Sequence, residues 1–259
     1  MVDRDTALKR RITLRFLSYV LFVAFTLVCL SSGRAFAGSA AVTGKVSLDL
    51  PAGKKPGRKK VQMAADPVCA GKHSDAPALS EVVIVNDDGT LKNVFVHVKA
   101  GLESKKFDIP AEPVILDQNG CMYKPHVFGV RAGQPIKILN SDGTLHNIHP
   151  KPKVNTEFNI AMPKFLKQKT KTFDKAEMMI PIRCDVHPWM KSYVGVMDHP
   201  FFFVTGDGGA FELKGLPAGT YTVEAWHERL GFQTKEVTVK DGEAAALDFT
   251  FKIPKKKKS

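Results

Sequence analysis

Cys184, His187 and Met190 place a thiol, an imidazole and a thioether within seven residues, in the run Cys184-Asp-Val-His187-Pro188-Trp189-Met190. A loop of this length can fold three such side chains towards one point. Thiolate and thioether favour Cu(I), and imidazole serves both copper oxidation states, so the donor set suits copper. Zinc is the rival, since Cys and His bind it well, but a thioether adds little to a zinc site. A further histidine for the same ion comes from upstream, in Asn140-Ser-Asp-Gly-Thr-Leu-His146-Asn147-Ile-His149. If that segment is a strand, positions 146 and 149 face opposite sides. His146 is then the expected ligand, and His149 a surface residue or an outer donor. Asn147 is expected to tie the ligand loops together through its side chain.

Cysteine arithmetic points the same way. The chain has four cysteines. Cys29 lies in an apolar stretch, Phe16 to Leu30, that follows Lys9, Arg10, Arg11 and Arg15 and precedes Ala35-Phe36-Ala37. That order of basic, apolar and small-x-small residues reads as a signal peptide over 1–37, cleaved after Ala37, with export to the periplasm or beyond. The apolar run is short for a membrane span of about 20 residues; an uncleaved N-terminal anchor is the alternative. Three cysteines then remain. Cys69 and Cys121 can pair as a disulfide, leaving Cys184 for a metal.

The net charge is +12, and +8 without the first 37 residues, which carry six Lys/Arg and two Asp/Glu. Much of it sits in Lys54-Lys55-Pro56-Gly57-Arg58-Lys59-Lys60 and in the tail Lys255 to Lys258. Like-charge blocks of this kind are mainly solvated. The sharper reading is docking to an acidic partner or peripheral contact with an anionic membrane. Nucleic acid is not an expected partner, because no recognition motif accompanies the charge.

The elements that must position these residues read as strands. Composition and alternation predict strands at 41–48, 82–85, 93–99, 114–116, 126–130, 136–139, 170–173, 178–183 and 193–196, separated by Gly, Pro, Asn and Asp turns. Asn86-Asp87-Asp88-Gly89 signals a hairpin. His97, opposite Val94, Val96 and Val98, reads as a surface residue, and His126 as structural. Beyond Phe201, Ala210 to Lys214 and Thr220 to Trp226 flank a Leu216-Pro217-Ala218-Gly219 turn and read as a hairpin, followed by strands at 232–239 and 246–251. Trp226-His227-Glu228 reads as packing with polar edges. No helical periodicity of useful length follows the apolar N-terminus, so an antiparallel sandwich is expected.

The Cys184-x-x-His187-Pro188-x-Met190 loop resembles that of cupredoxins, amicyanin above all, and Asn140 through Asn147 resembles the strand end that carries their first histidine. The resemblance implies one type 1 copper with His146, Cys184 and His187 as equatorial ligands and Met190 as the weak axial one. It also implies Pro188 and Trp189 near the surface where electrons pass. Gly209-x-Phe211-x-Leu213-x-x-Leu216-Pro217-x-Gly219-x-Tyr221-x-Val223 resembles the carboxypeptidase regulatory-like domain. Together, residues 41–253 look like exported bacterial proteins labelled methylamine-utilisation or cupredoxin-domain proteins. The implied fold is all-β: a Greek-key cupredoxin-like β-sandwich over 38–199, a smaller β-sandwich over 200–253, and a basic tail over 254–259.

The expected function is periplasmic electron transfer, Cu(I)/Cu(II), with a redox protein partner such as a c-type cytochrome or a dehydrogenase. Copper storage or delivery, and a metal-free extracellular binding or scaffold role, are the alternatives. The chain lacks the His-x-His pairs of multicopper oxidases and shows no nucleophile triad or phosphate loop, so it is not expected to be an enzyme.

Overall fold

The computed structural model describes residues 40–51, 54–103 and 105–253. The signal peptide and the basic tail expected from the sequence lie outside them. In chain order the strands are β1 (Ala41–Asp49), β2 (Ile84–Val85), β3 (Leu91–Lys92), β4 (Phe95–Ala100), β5 (Val114–Gln118), β6 (Tyr123–Lys124), β7 (Val127–Arg131), β8 (Ile136–Asn140), β9 (His146–Pro150) and β10 (Ile160–Met162). They continue as β11 (Gln168–Lys171), β12 (Glu177–Arg183), β13 (Lys191–Met197), β14 (Phe202–Val204), β15 (Ala210–Lys214), β16 (Gly219–His227), β17 (Gly231–Val239), β18 (Ala244–Ala246) and β19 (Phe249–Lys252). The short helix α1 (Pro67–Gly71) starts where Asp66 accepts from the N–H groups of Val68 and Cys69 and Pro67 fills the first turn. The fold is therefore all-β in class, and no helix among the described residues is long and apolar enough to cross a membrane.

The first sandwich packs the sheet β10-β9-β12-β13-β7 on the sheet β11-β8-β5-β6. Alternation builds it: in β8, Ile136, Ile138 and Asn140 are buried while Lys137 and Leu139 are less so. Its core includes Leu116, Phe128, Val130, Ile138, Ile148 and Val194. The second sandwich packs β15-β1-β18, with β19 also on β1, and β14-β4-β16-β17, around Val42, Val96, Phe211, Tyr221, Val223 and Phe249. The β2–β3 hairpin forms where its turn was expected, with Val85 opposite Leu91.

Three expectations fail, for one reason: partners come from far along the chain. The sheets do not divide at residue 200, because β1 and β4 pair with C-terminal strands, Val42 opposite Leu213 and Val96 opposite Ala225. β15 and β16 are not a hairpin. β1 takes the edge of β15, and the Leu216–Gly219 turn carries the chain to the other sheet, where the Tyr221 hydroxyl donates to Pro217 O at 2.8 Å. Nor are the sandwiches purely antiparallel, since β5–β8, β7–β13 and β1–β19 run parallel.

His97 is also not at the surface. It is buried, with Nε2 3.3 Å from Glu224 Oε1, because β4 is covered on both faces. Phe95 of that strand and Phe202 lie on the first sandwich where Gly129 and Gly195 stand opposite each other. A Cβ at Gly195 would come within 2.6 Å of the Phe95 ring, and one at Gly129 within 2.4 Å of Phe202. The two glycines make the flat seat that lets the sandwiches approach.

Candidate metal centre

His146 opens β9, and the turn before it is held by Asn140, whose amide donates to Thr144 O and Met162 O, both at 2.8 Å. Cys184 follows β12 directly, and the loop to β13 is closed by two backbone bonds. Met190 N donates to His187 O at 2.9 Å and Cys184 N to Met190 O at 3.4 Å. Asn147 joins the two segments: its Oδ1 accepts from Asp185 N at 2.6 Å and its amide donates to Asp185 Oδ2 at 3.1 Å. The Tyr123 hydroxyl donates to Asn147 O from the core; burial first, then the neighbouring Cys184, pushes its pKa up.

His146, Cys184 and His187 come together, their ligand atoms all within 4.8 Å of one another and their side chains buried. The two Nδ1 atoms are 2.9 Å apart, and the Cys184 sulfur is 3.8 Å from His187 Nδ1. Met190 is fully buried in the same core. Each imidazole turns its other nitrogen to a carboxylate: His146 Nε2 is 2.9 Å from Asp142 Oδ2, and His187 Nε2 is 2.9 Å from Asp66 Oδ2. A carboxylate accepts, so each Nε2 carries the hydrogen and each Nδ1 presents a lone pair. Two lone pairs 2.9 Å apart need a proton or a cation between them. Spacings of 2.9 and 3.8 Å suit one ion bonded at roughly 2.0 Å to nitrogen and 2.3 Å to sulfur. The residues present thus fit a soft or borderline metal ion.

The electrostatics agree. Burial works against a Cys184 thiolate, but His146 and the N–H groups of Asn147, His187 and Val186 outweigh it and hold the thiol below its usual pKa. Burial likewise opposes charge on Asp142. It is outweighed by His146, by the N–H groups of Cys121 and Gly120 and by Lys72, so this carboxyl is held at about 2. His146 is pulled down by burial and raised more strongly by Asp142 and Cys184, to about 8.

Cys69 and Cys121 form a disulfide, and Cys184 is free and buried. The disulfide covers the centre, with Cys69 Sγ 3.7 Å from His187 Nε2. His187 is therefore not itself at the surface. Pro188 is exposed and Trp189 half-buried, its ring 4.9 Å from that of His187 and its Nε1 donating to Cys121 O at 3.1 Å. His149 points to a separate polar cluster, Nδ1 to Asp185 and Nε2 to Glu157, each at 2.8 Å. His126 pairs with Glu228. Sequence reasoning missed Asp66 and Asp142. Asp66-Pro67 is legible as a helix start and Asp142 as a turn residue, but nothing local ties either to an imidazole.

No protein-family model matches the chain, and no curated protein matches it in sequence. Solved structures do. A copper-containing nitrite reductase from Thermus scotoductus SA-01 is similar at 21% identity over 39% of this chain and 25% of that one, with a TM-score of 0.30. The chain thus spans about a quarter of the reductase. A Cu(I) form of an amicyanin variant is similar at 19% identity over 39% of this chain and 98% of that one, and an oxidised amicyanin variant equally so, both with a TM-score of 0.30. The expectation that the chain is not an enzyme is withdrawn, because a reductase stands among the structures it resembles. The carboxypeptidase regulatory-like resemblance finds no counterpart in the family models or curated sequences.

Proposed function

We propose that this chain is an exported protein with one type 1 copper, held by His146, Cys184, His187 and Met190, that passes electrons to or from a redox protein. The reading rests on one observation: two histidines whose outer nitrogens are taken by Asp142 and Asp66 direct both inner nitrogens at one point beside a free thiol. Copper there supplies one-electron cycling between Cu(I) and Cu(II). The chain's part is to fix the donors. Asp142 and Asp66 set the ring orientations, Asn147 locks one ligand segment to the other, and burial excludes water.

The electron path we propose leaves through Trp189, whose ring lies 4.9 Å from that of His187 and tilted 39° to it. Pro188 and Trp189 border a cleft of about 470 Å³ whose rim includes Lys59, Lys60 and Lys191. The cleft also carries Glu81 and Glu228, the latter bonded to His126, so the three lysines leave a modest basic excess that fits an acidic face on the partner, a c-type cytochrome or a dehydrogenase. Full burial of the ligands favours retention of the ion over its delivery. Copper-loaded, oxidised protein should be intensely blue and Cys184→Ser colourless; a colourless copper-loaded wild type would reject the reading.

A further inference from the structure

The disulfide is built into the outer faces of both imidazoles. Cys69 lies with Asp66 beside His187, and Cys121 lies with Asp142 beside His146, the ligand atoms of each trio within 4.8 Å of one another. Each sulfur therefore already sits against one ring and one carboxylate, all but Asp66 fully buried. The surrounding backbone is fixed independently of the S–S bond. Asp66 caps α1 and holds His187, Lys72 pairs with Asp142 at 3.2 Å, and His73 Nε2 meets Gly120 O at 2.7 Å. The two cysteine segments have reasons to stay together when the bond between them is cut.

We infer that reduction of the Cys69–Cys121 disulfide opens a second cation site, for a soft monovalent ion such as Cu(I), between the two freed sulfurs. The reduction takes two electrons and two protons from a dithiol reductant, which becomes a disulfide itself, and leaves two thiols here. Binding Cu(I) releases the two thiol protons and forms two S–Cu bonds. A pair of thiolates suits Cu(I) and not Cu(II). Asp66 and Asp142 keep their bonds to the imidazoles, so the first ion stays in place while the second sits outside the rings. The protein would hold one ion when oxidised and two when reduced. This inference rests on the single-copper reading above.

The test is anaerobic titration of the full chain with Cu(I) against bicinchoninate, before and after reduction with a phosphine that is then removed. One ion per chain is expected with the disulfide intact and two after reduction, while Cys69→Ser/Cys121→Ser binds one in both conditions. Because that variant can misfold, the reduced wild type is also alkylated with iodoacetamide. Cys69 and Cys121 should react at one equivalent of Cu(I) and be protected at two. One ion in both states, or alkylation unaffected by the second equivalent, overturns the second site alone. No ion bound with the disulfide intact overturns the single-copper reading beneath it.

Discussion

Asp66 holds two things at once: its Oδ1 accepts from the N–H groups of Val68 and Cys69, and its Oδ2 lies 2.9 Å from Nε2 of His187, 121 residues away. The hydrogen bond from His187 first, then that from Cys69 N, lowers its pKa. The two tasks separate by substitution. Asp66→Ser keeps a capping oxygen but cannot reach the imidazole as the carboxylate does. Its thermal midpoint should stay near that of the wild type while copper affinity, measured by chelator competition, falls roughly 10- to 100-fold. Unchanged affinity would mean that the carboxylate does not orient His187.

Asp142 is the more structural of the two carboxylates. It takes the N–H groups of Gly120 and Cys121, His146 Nε2 and Lys72 Nζ. Asp142→Ala strands these donors in a buried place and should cost about 3–5 kcal/mol, read by urea unfolding of the metal-free protein. A cost under about 1 kcal/mol would mean that water replaces the carboxylate.

At the seat between the sandwiches, Gly195→Ala should destabilise by about 1–3 kcal/mol through overpacking against Phe95. Phe95→Leu placed in the same chain should recover part of the loss, the signature of a shared contact.

Stability should peak near the ordinary histidine pKa of 6.5 and fall on both sides. Burial depresses His199 and His227 to about 4. Between pH 4 and 6.5 the unfolded chain binds protons that the folded one does not, so stability is lost as pH falls through that window, on the order of 3 kcal/mol for each group. His126 behaves oppositely. Burial opposes its charge, but Glu228, 2.5 Å away, and Glu81 outweigh burial and raise its pKa. Its contribution is full below 6.5 and is lost as pH rises through the raised value. Urea midpoints of the metal-free protein from pH 4 to 9 should trace this dome, and His126→Gln should lessen the alkaline slope and leave the acid side unchanged, the rest of the alkaline loss coming from His146, raised to about 8.

That His146, Cys184 and His187 come together was legible because short spacing and strand period are local properties. The all-β class was legible for the same reason. Asp66 was not, because its cap is local and its meeting with His187 is not. His97 was misread because alternation in β4 shows one apolar face and is silent on whether the other is covered. The second sandwich was misassigned for a related reason: Ala210 to Lys214 carries the pattern of a strand, but nothing in it names β1 as the neighbour.

Lys45 N bonds Asp248 Oδ1 across 203 positions of sequence, and this closure has a consequence for how the protein is made. An N-terminal strand synthesised early must wait for strands at the far end before its edges are sealed. The excursion that carries Asp66 and Cys69 over His187 hangs between two strands of that late-closing body. Truncation at the C-terminal end would therefore bare the edges of β1, a template for aggregation, and loosen the roof of a pocket it never touches.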